Sequence, residues 1–167
     1  MRYDAGEVIT AMGTPFNEKR DVDYDKVETL AFQLANTGSD AVLVTGTTGE
    51  APTLTYDEEI EILCSVKRAV NRQAKVIMGT GSNSTETAVK TAKMAEKNDA
   101  DAILTVVPYY NKPSQSGMIE HFSAVAEAVN LPVILYNIPS RTGVNMSAET
   151  VKTLARKYEN IVGVKQS

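Results

Sequence analysis

Pro132-Val133-Ile134-Leu135-Tyr136-Asn137-Ile138-Pro139-Ser140-Arg141-Thr142-Gly143 is an apolar run that turns polar at its far end. The first part is aliphatic and does not alternate with polar residues, the pattern of a strand covered on both faces. The second part cannot continue that strand, and it carries a guanidinium and two hydroxyls. Five other runs read the same way: Val8–Phe16, Asp40–Gly46, Lys75–Gly81, Asp101–Tyr110 and Ile161–Lys165. They recur at intervals of roughly 25–35 residues, with helical patterns between them.

The intervening segments carry start and stop signals. Thr55-Tyr56-Asp57-Glu58 is a capping box in front of Ile60, Leu63 and Val66. Asn83 with Glu86 gives an Asx form of the same signal, and Ser147 caps the helix of Val151 and Leu154. Ile119, Phe122, Ala126 and Val129 step along one helical face. Gly38 supplies the permissive residue after the first helix. No linker or low-complexity tract interrupts the series, so one α/β domain over residues 1–167 is expected.

Alternating strands and helices have two main homes, a doubly wound open sheet and a (β/α)8 barrel. Length favours the open sheet, because a full barrel usually needs about 250 residues. The polar residues favour the barrel, since they gather after four different runs, where barrel enzymes build their sites. No Gly-x-Gly-x-x-Gly follows the first run, so the usual mark of the open sheet is missing. The expected fold is therefore a TIM barrel, represented by about its first six β/α units.

Composition bounds the function. With 43% apolar residues, 23% charged residues and a net charge of -4, the chain reads as a soluble globular protein. An acidic balance argues against a nucleic-acid partner, which wants a basic excess. No apolar stretch approaches the roughly 20 residues of a membrane span, and residues 1–7 hold no signal-peptide core. One cysteine, Cys64, excludes an internal disulfide and fits a reducing cytoplasm, the expected location. One histidine, His121, leaves no His cluster for a transition metal. Both are assigned to packing on helix faces, and Asp57-Glu58-Glu59 to a solvated helix face.

Four places could do chemistry. Gly46-Thr47-Thr48-Gly49-Glu50 combines a tight turn, exposed amides and two hydroxyls, which suit a small carboxylate. The same residues also make an ordinary glycine-rich turn. Tyr109-Tyr110 offers phenols, although paired tyrosines more often serve packing or an interface. Arg141 can clamp a carboxylate bidentately, or simply be a surface arginine. Lys165 ends Ile161-Val162-Gly163-Val164-Lys165. On a buried strand end, apolar surroundings would disfavour the ammonium and free the amine as a nucleophile. A solvated lysine is the plainer reading.

Taken together, the order and spacing resemble the dihydrodipicolinate synthase family, within the pyruvate-dependent class I aldolases that include N-acetylneuraminate lyase. The motifs are Ile9 to Phe16, Gly46-Thr47-Thr48-Gly49-Glu50, Pro108-Tyr109-Tyr110-Asn111-Lys112-Pro113-Ser114, Tyr136 to Gly143 and Gly163-Val164-Lys165. The resemblance implies a lysine imine: Lys165 attacks pyruvate, and the resulting enamine attacks L-aspartate 4-semialdehyde. It implies that Thr47 and Thr48 hold the pyruvate carboxylate, and that Thr47, Tyr136 and Tyr110 relay protons. Tyr110 would be lent by a neighbouring subunit, giving a homo-dimer or tetramer of the full-length protein. Arg141 would bind the semialdehyde carboxylate. No metal or organic cofactor is implied beyond the covalent pyruvate imine on Lys165. Another pyruvate-dependent lyase, acting on N-acetylneuraminate or a 2-keto-3-deoxy sugar acid, is the alternative within this chemistry. An inactive half-barrel module is the alternative outside it.

Three departures from the family pattern carry expectations. Gln166-Ser167 stands where Glu-Ala is commoner, which leaves the nucleophile untouched. Ala51, Tyr56, Glu59 and Thr87 stand where lysine-inhibited members carry Ser, two His and Glu, while Asn83 and Tyr109 remain. Feedback inhibition by L-lysine is therefore expected to be weak or absent. The chain ends after the sixth run, without barrel strands seven and eight, so it is expected to be inactive and prone to self-association on its own.

Overall fold

A computed structural model describes residues 3–167, as two compact units. One consists of Asp4–Gly79 with Asn98–Asp101; the other is built mainly from Thr80–Lys97 and Ala102–Ser167. Within each unit the strands are parallel and lie side by side in chain order.

The first unit contains β1 (Ile9–Ala11), α1 (Tyr24–Asn36), β2 (Ala41–Val44), α2 (Tyr56–Val70) and β3 (Lys75–Gly79). All four residues of β2 are buried, as expected of a strand covered on both faces. Asp40 ties the start of β2 to the chain entering β1: its Oδ2 accepts the amides of Val8 (2.9 Å) and Glu7 (2.8 Å). Those two bonds hold its carboxyl below the usual carboxylate range. Thr55 forms the expected capping box with Glu58 at the start of α2. Gly38, at φ +107°, turns the chain after α1.

The second unit contains α3 (Thr85–Lys97), β4 (Ala102–Val106), α4 (Gln115–Ala128), β5 (Val133–Asn137), a short α5 (Pro139–Thr142), α6 (Ala148–Lys157) and β6 (Ile161–Gln166). Its core includes Ile103, Met118, Phe122, Val125, Leu135 and Leu154, each almost wholly shielded. Burying one such side chain favours folding by about 1.5–3 kcal/mol. Ser114 and Ser147 cap α4 and α6. Asn160 donates to the carbonyls of Ala126 (2.9 Å) and Val129 (3.0 Å), tying the end of α4 to the approach of β6.

Several expectations need correction. The runs overshoot the hydrogen-bonded strands, most of all at the N-terminus, where Val8–Phe16 yields only Ile9–Ala11. Residues beyond it turn back, with Phe16 bridging Val22 in antiparallel fashion. The α3 start bond comes from Ser84, whose Oγ accepts the Thr87 amide (3.3 Å), and not from Asn83. The Asn83 carbonyl instead accepts from Asn111 Nδ2 (3.1 Å). Glu59 is not simply solvated: it is half-buried, and desolvation pushes its carboxyl up to about 7. Lys165 does not end a buried strand, because only Ile161 of β6 is buried and Val164 is 40% exposed.

His121 is buried on α4 with its ring Nδ1 2.9 Å from the Thr85 hydroxyl, while Nε2 has no hydrogen-bond partner among the described residues. Burial pushes its pKa down to about 4, so the ring is neutral near pH 7. Cys64 is half-buried on α2, beside Asn98. Among the described residues, no helix is long and apolar enough to cross a membrane.

Candidate active site

In the second unit the polar ends of β5 and β6 come together. A parallel bulge in β6 sets how they meet. Val133 pairs with Ile161, but Ile134 pairs with Gly163, so Val162 is passed over. The shift brings Lys165 opposite Tyr136. Without it Tyr136 would face Val164, because a one-residue slip exchanges the two faces of a strand. Lys165 Nζ sits 4.1 Å from the Tyr136 ring centroid. A lysine ammonium over a tyrosine face is attracted by the ring quadrupole, by about 0.5–1 kcal/mol at a partly open site. Tyr136 is buried and Lys165 half-buried, so the pair presents its nitrogen from a packed base.

Asn137, the next residue of β5, is only 2% exposed, and both its side-chain amide protons and its side-chain oxygen are engaged. Its Nδ2 donates to Asn145 Oδ1 (2.7 Å) and Gln166 Oε1 (2.8 Å), with the Met146 carbonyl at 3.5 Å. Its Oδ1 accepts the Met146 amide (3.0 Å), and its carbonyl accepts the Ser167 amide (3.0 Å). Arg141 lies on α5, which starts with Pro139 at its first turn. Its side chain is exposed, with no carboxylate partner among the described residues. Tyr110 stands 90% exposed at φ +73°, on the loop after β4, and Tyr109 is 38% exposed. The structure thus brings Lys165 and Tyr136 together, whereas Tyr110 extends from the loop after β4 and Arg141 from α5.

In the first unit, Thr47 and Thr48 lie exposed on the loop after β2. Their loop is held from below. Thr45 is buried at φ +50°, a strained backbone for a β-branched residue. Its hydroxyl donates to the Gly79 carbonyl (3.1 Å). A β-carbon at Gly79 would overlap the Thr45 carbonyl, so only glycine admits this approach. Thr14 Oγ1 donates to the Gly49 carbonyl (2.7 Å), and backbone bonds from Glu50 to Thr47 and from Ala51 to Gly46 close the turn. The outcome is two exposed hydroxyls on a rigid frame, which can serve a small anion.

Comparison with known proteins decides the family. Residues 4–167 match the model of the dihydrodipicolinate synthetase family. The chain belongs to that family. It is 52% identical over 162 residues to the 4-hydroxy-tetrahydrodipicolinate synthase of Synechococcus sp. (strain JA-2-3B'a(2-13)), covering 97% of this chain and 53% of the relative. The enzyme of that name from Microcystis aeruginosa is 54% identical over 163 residues, covering 97% and 54%. Among solved structures, the Cyanidioschyzon merolae dihydrodipicolinate synthase with lysine bound matches with a TM-score of 0.96 and 52% identity, over 98% of this chain and 56% of that one. The Acinetobacter baumannii synthase complexed with pyruvate matches with a TM-score of 0.95 and 42% identity, over 98% and 56%. The chain spans about half the length of the curated relatives it matches. Its fold corresponds to the first six β/α units of a TIM barrel, as the strand pattern led one to expect.

Sequence reasoning missed the supports of the site. Asn137, Gln166, Thr45 and Gly79 received no role. The one available signal was Asn137 itself, a polar residue inside an otherwise apolar run.

Proposed function

We propose that the protein carrying this chain condenses pyruvate with L-aspartate 4-semialdehyde to give 4-hydroxy-tetrahydrodipicolinate, a step of lysine and diaminopimelate biosynthesis in the cytoplasm. The observation that carries the reading is Lys165 paired with Tyr136 across β5 and β6, with its amine over the ring. The Lys165 amine adds to the pyruvate ketone, water leaves, and the protonated imine accepts the electron pair as a methyl proton departs. The resulting enamine carbon bonds to the semialdehyde carbonyl carbon, whose oxygen takes a proton. The amino group of the semialdehyde then attacks the imine carbon, closing the ring and releasing the lysine.

Thr47 and Thr48 hold the pyruvate carboxylate through neutral donors, and Arg141 holds the semialdehyde carboxylate. Thr47, Tyr136 and Tyr110 pass protons, since a hydroxyl both donates and accepts. Tyr110 serves a neighbouring subunit of a homo-oligomer, a role that its exposure on a loop suits. The imine is the electron sink, so the chemistry asks for no metal or organic cofactor.

Borohydride reduction in the presence of pyruvate tests the proposal. A mass gain on Lys165 is expected, absent in K165A. A folded chain without the adduct would point to an inert module. Faster trapping turnover with a sugar acid than with aspartate semialdehyde would move the assignment to a sugar-acid lyase.

A further inference from the structure

Lys165 meets Tyr136 only because β6 skips a residue relative to β5, and the exposed side-chain positions next to the skip add no packing that would hold the shift. Gly163, the residue just past the skip, has no atom within 4 Å of where a side chain would begin. Val164 is exposed. Past the skip the backbone ladder runs on from Gly163 to Gln166, and the Ser167 amide donates to the Asn137 carbonyl (3.0 Å). To these the Asn137 side-chain amide adds a bond to Gln166, the residue after Lys165, at 2.8 Å.

We infer that Asn137 and Gln166 form a positioning lock for the nucleophile: their side-chain bond holds β6 in the shifted register that sets the Lys165 amine over Tyr136. The proposal rests on Lys165 being the imine-forming lysine. Three features support it. Asn137 is buried with its side-chain oxygen bonded to the Met146 amide, so replacing its amide group leaves that buried Met146 amide unpaired. Asn137 also reaches Asn145, so one side chain joins the end of β5, the end of β6 and the segment following the Arg141 turn. Gln166 contributes an oxygen acceptor from an exposed position, so its replacement bears on the lock without opening the core. Neither residue touches a reacting atom; both act through where Lys165 is held.

The test reads the lock directly. In the chain with 13C-labelled lysine, the Lys165 ε-methylene protons should resonate upfield of the ordinary lysine position, because the adjoining Nζ lies 4.1 Å from the Tyr136 ring centroid. Lys157, over Tyr158 at 4.9 Å, is told apart by assignment in K165A. N137L and Q166L should move this resonance towards the ordinary lysine position. Both should also slow pyruvate-dependent borohydride trapping by about tenfold or more, at temperatures well below their melting transitions. Q166E keeps the oxygen acceptor and should retain both the shift and the trapping rate. A merely structural role would lower the melting temperature and leave shift and rate alone. If N137L does not fold, Q166L decides, because Gln166 is exposed. An unshifted wild-type resonance, or leucine variants that keep both wild-type shift and rate, would overturn the inference. A shifted wild type that forms no adduct would sink the proposed reaction, and the shifts of the variants would still decide the lock.

Discussion

The two ends that carry candidate chemistry are built by different means. At β5 and β6 the Lys165 side chain is placed by strand register and a side-chain amide network around Asn137. At the loop after β2 the hydroxyls of Thr47 and Thr48 are carried by backbone strain at Thr45 and a close approach to Gly79. Register suits a long, flexible lysine that must be aimed from its base. A strained, hydrogen-bonded turn suits short side chains, whose positions follow the backbone directly. The lesson is that the length of the working side chain decides which kind of support it needs.

The comparison can be sharpened most strongly by pH. The second unit contains the chain's only histidine, neutral and buried against Thr85. Its folded pKa of about 4 lies below the ordinary imidazole value of 6.5, so the unfolded state binds more protons between these values. The contribution of a neutral His121 is full above pH 6.5 and is lost as pH falls towards 4, on the order of 3 kcal/mol. Glu59, in the first unit, has the opposite sign. Its folded pKa of about 7 lies above 4.5, so its contribution is present below pH 4.5 and lost as pH rises to 7. Amide exchange followed from pH 7 to pH 5 should therefore loosen the α3–α4 region, while α2 tightens. H121Q should flatten the first response and E59Q the second. Parallel responses of both units in the wild type would break the contrast.

A smaller effect is expected at Gly79. Replacing it with alanine should force the Thr45 carbonyl aside and destabilise by about 1–3 kcal/mol. A lowered urea midpoint should be seen, with the Lys165 resonance unmoved because its register does not depend on this contact. Smallest is Thr45→Val, which keeps the β-branch in the same strained backbone and removes the bond to the Gly79 carbonyl. A loss of about 1 kcal/mol is expected, read as a shift in midpoint at constant denaturant slope. A neutral T45V would show that strain and packing, without the hydroxyl, hold the loop.

Much of the fold was legible in the chain because its signals are local. The capping box at Thr55, the serine cap at Ser147 and the turn at Gly38 each lie within a few residues of what they control. The aliphatic runs foretold the parallel strands, since burial on both faces leaves no polar alternation. Their ends were overestimated, because an apolar residue beyond the last ladder bond looks the same as one within it. Asn83 was chosen over Ser84 for the α3 start because both are good capping types and only backbone geometry separates neighbours. Glu59 read as solvated because it closes the acidic run Asp57-Glu58-Glu59 and carries no local mark of what packs over it.

The sequence by itself put forward the candidate residues Lys165, Tyr136, Thr47, Thr48, Arg141 and Tyr110, at the ends of runs whose order suits a barrel. Tertiary structure alone decided how the lysine is aimed. The bond from Asn137 to Gln166 spans 29 residues and that from Thr45 to Gly79 spans 34, so neither belongs to any local pattern. The skipped residue in β6 is also a property of two strands together. Its sense is set by hydrogen bonds between them, and no reading of either strand alone contains it.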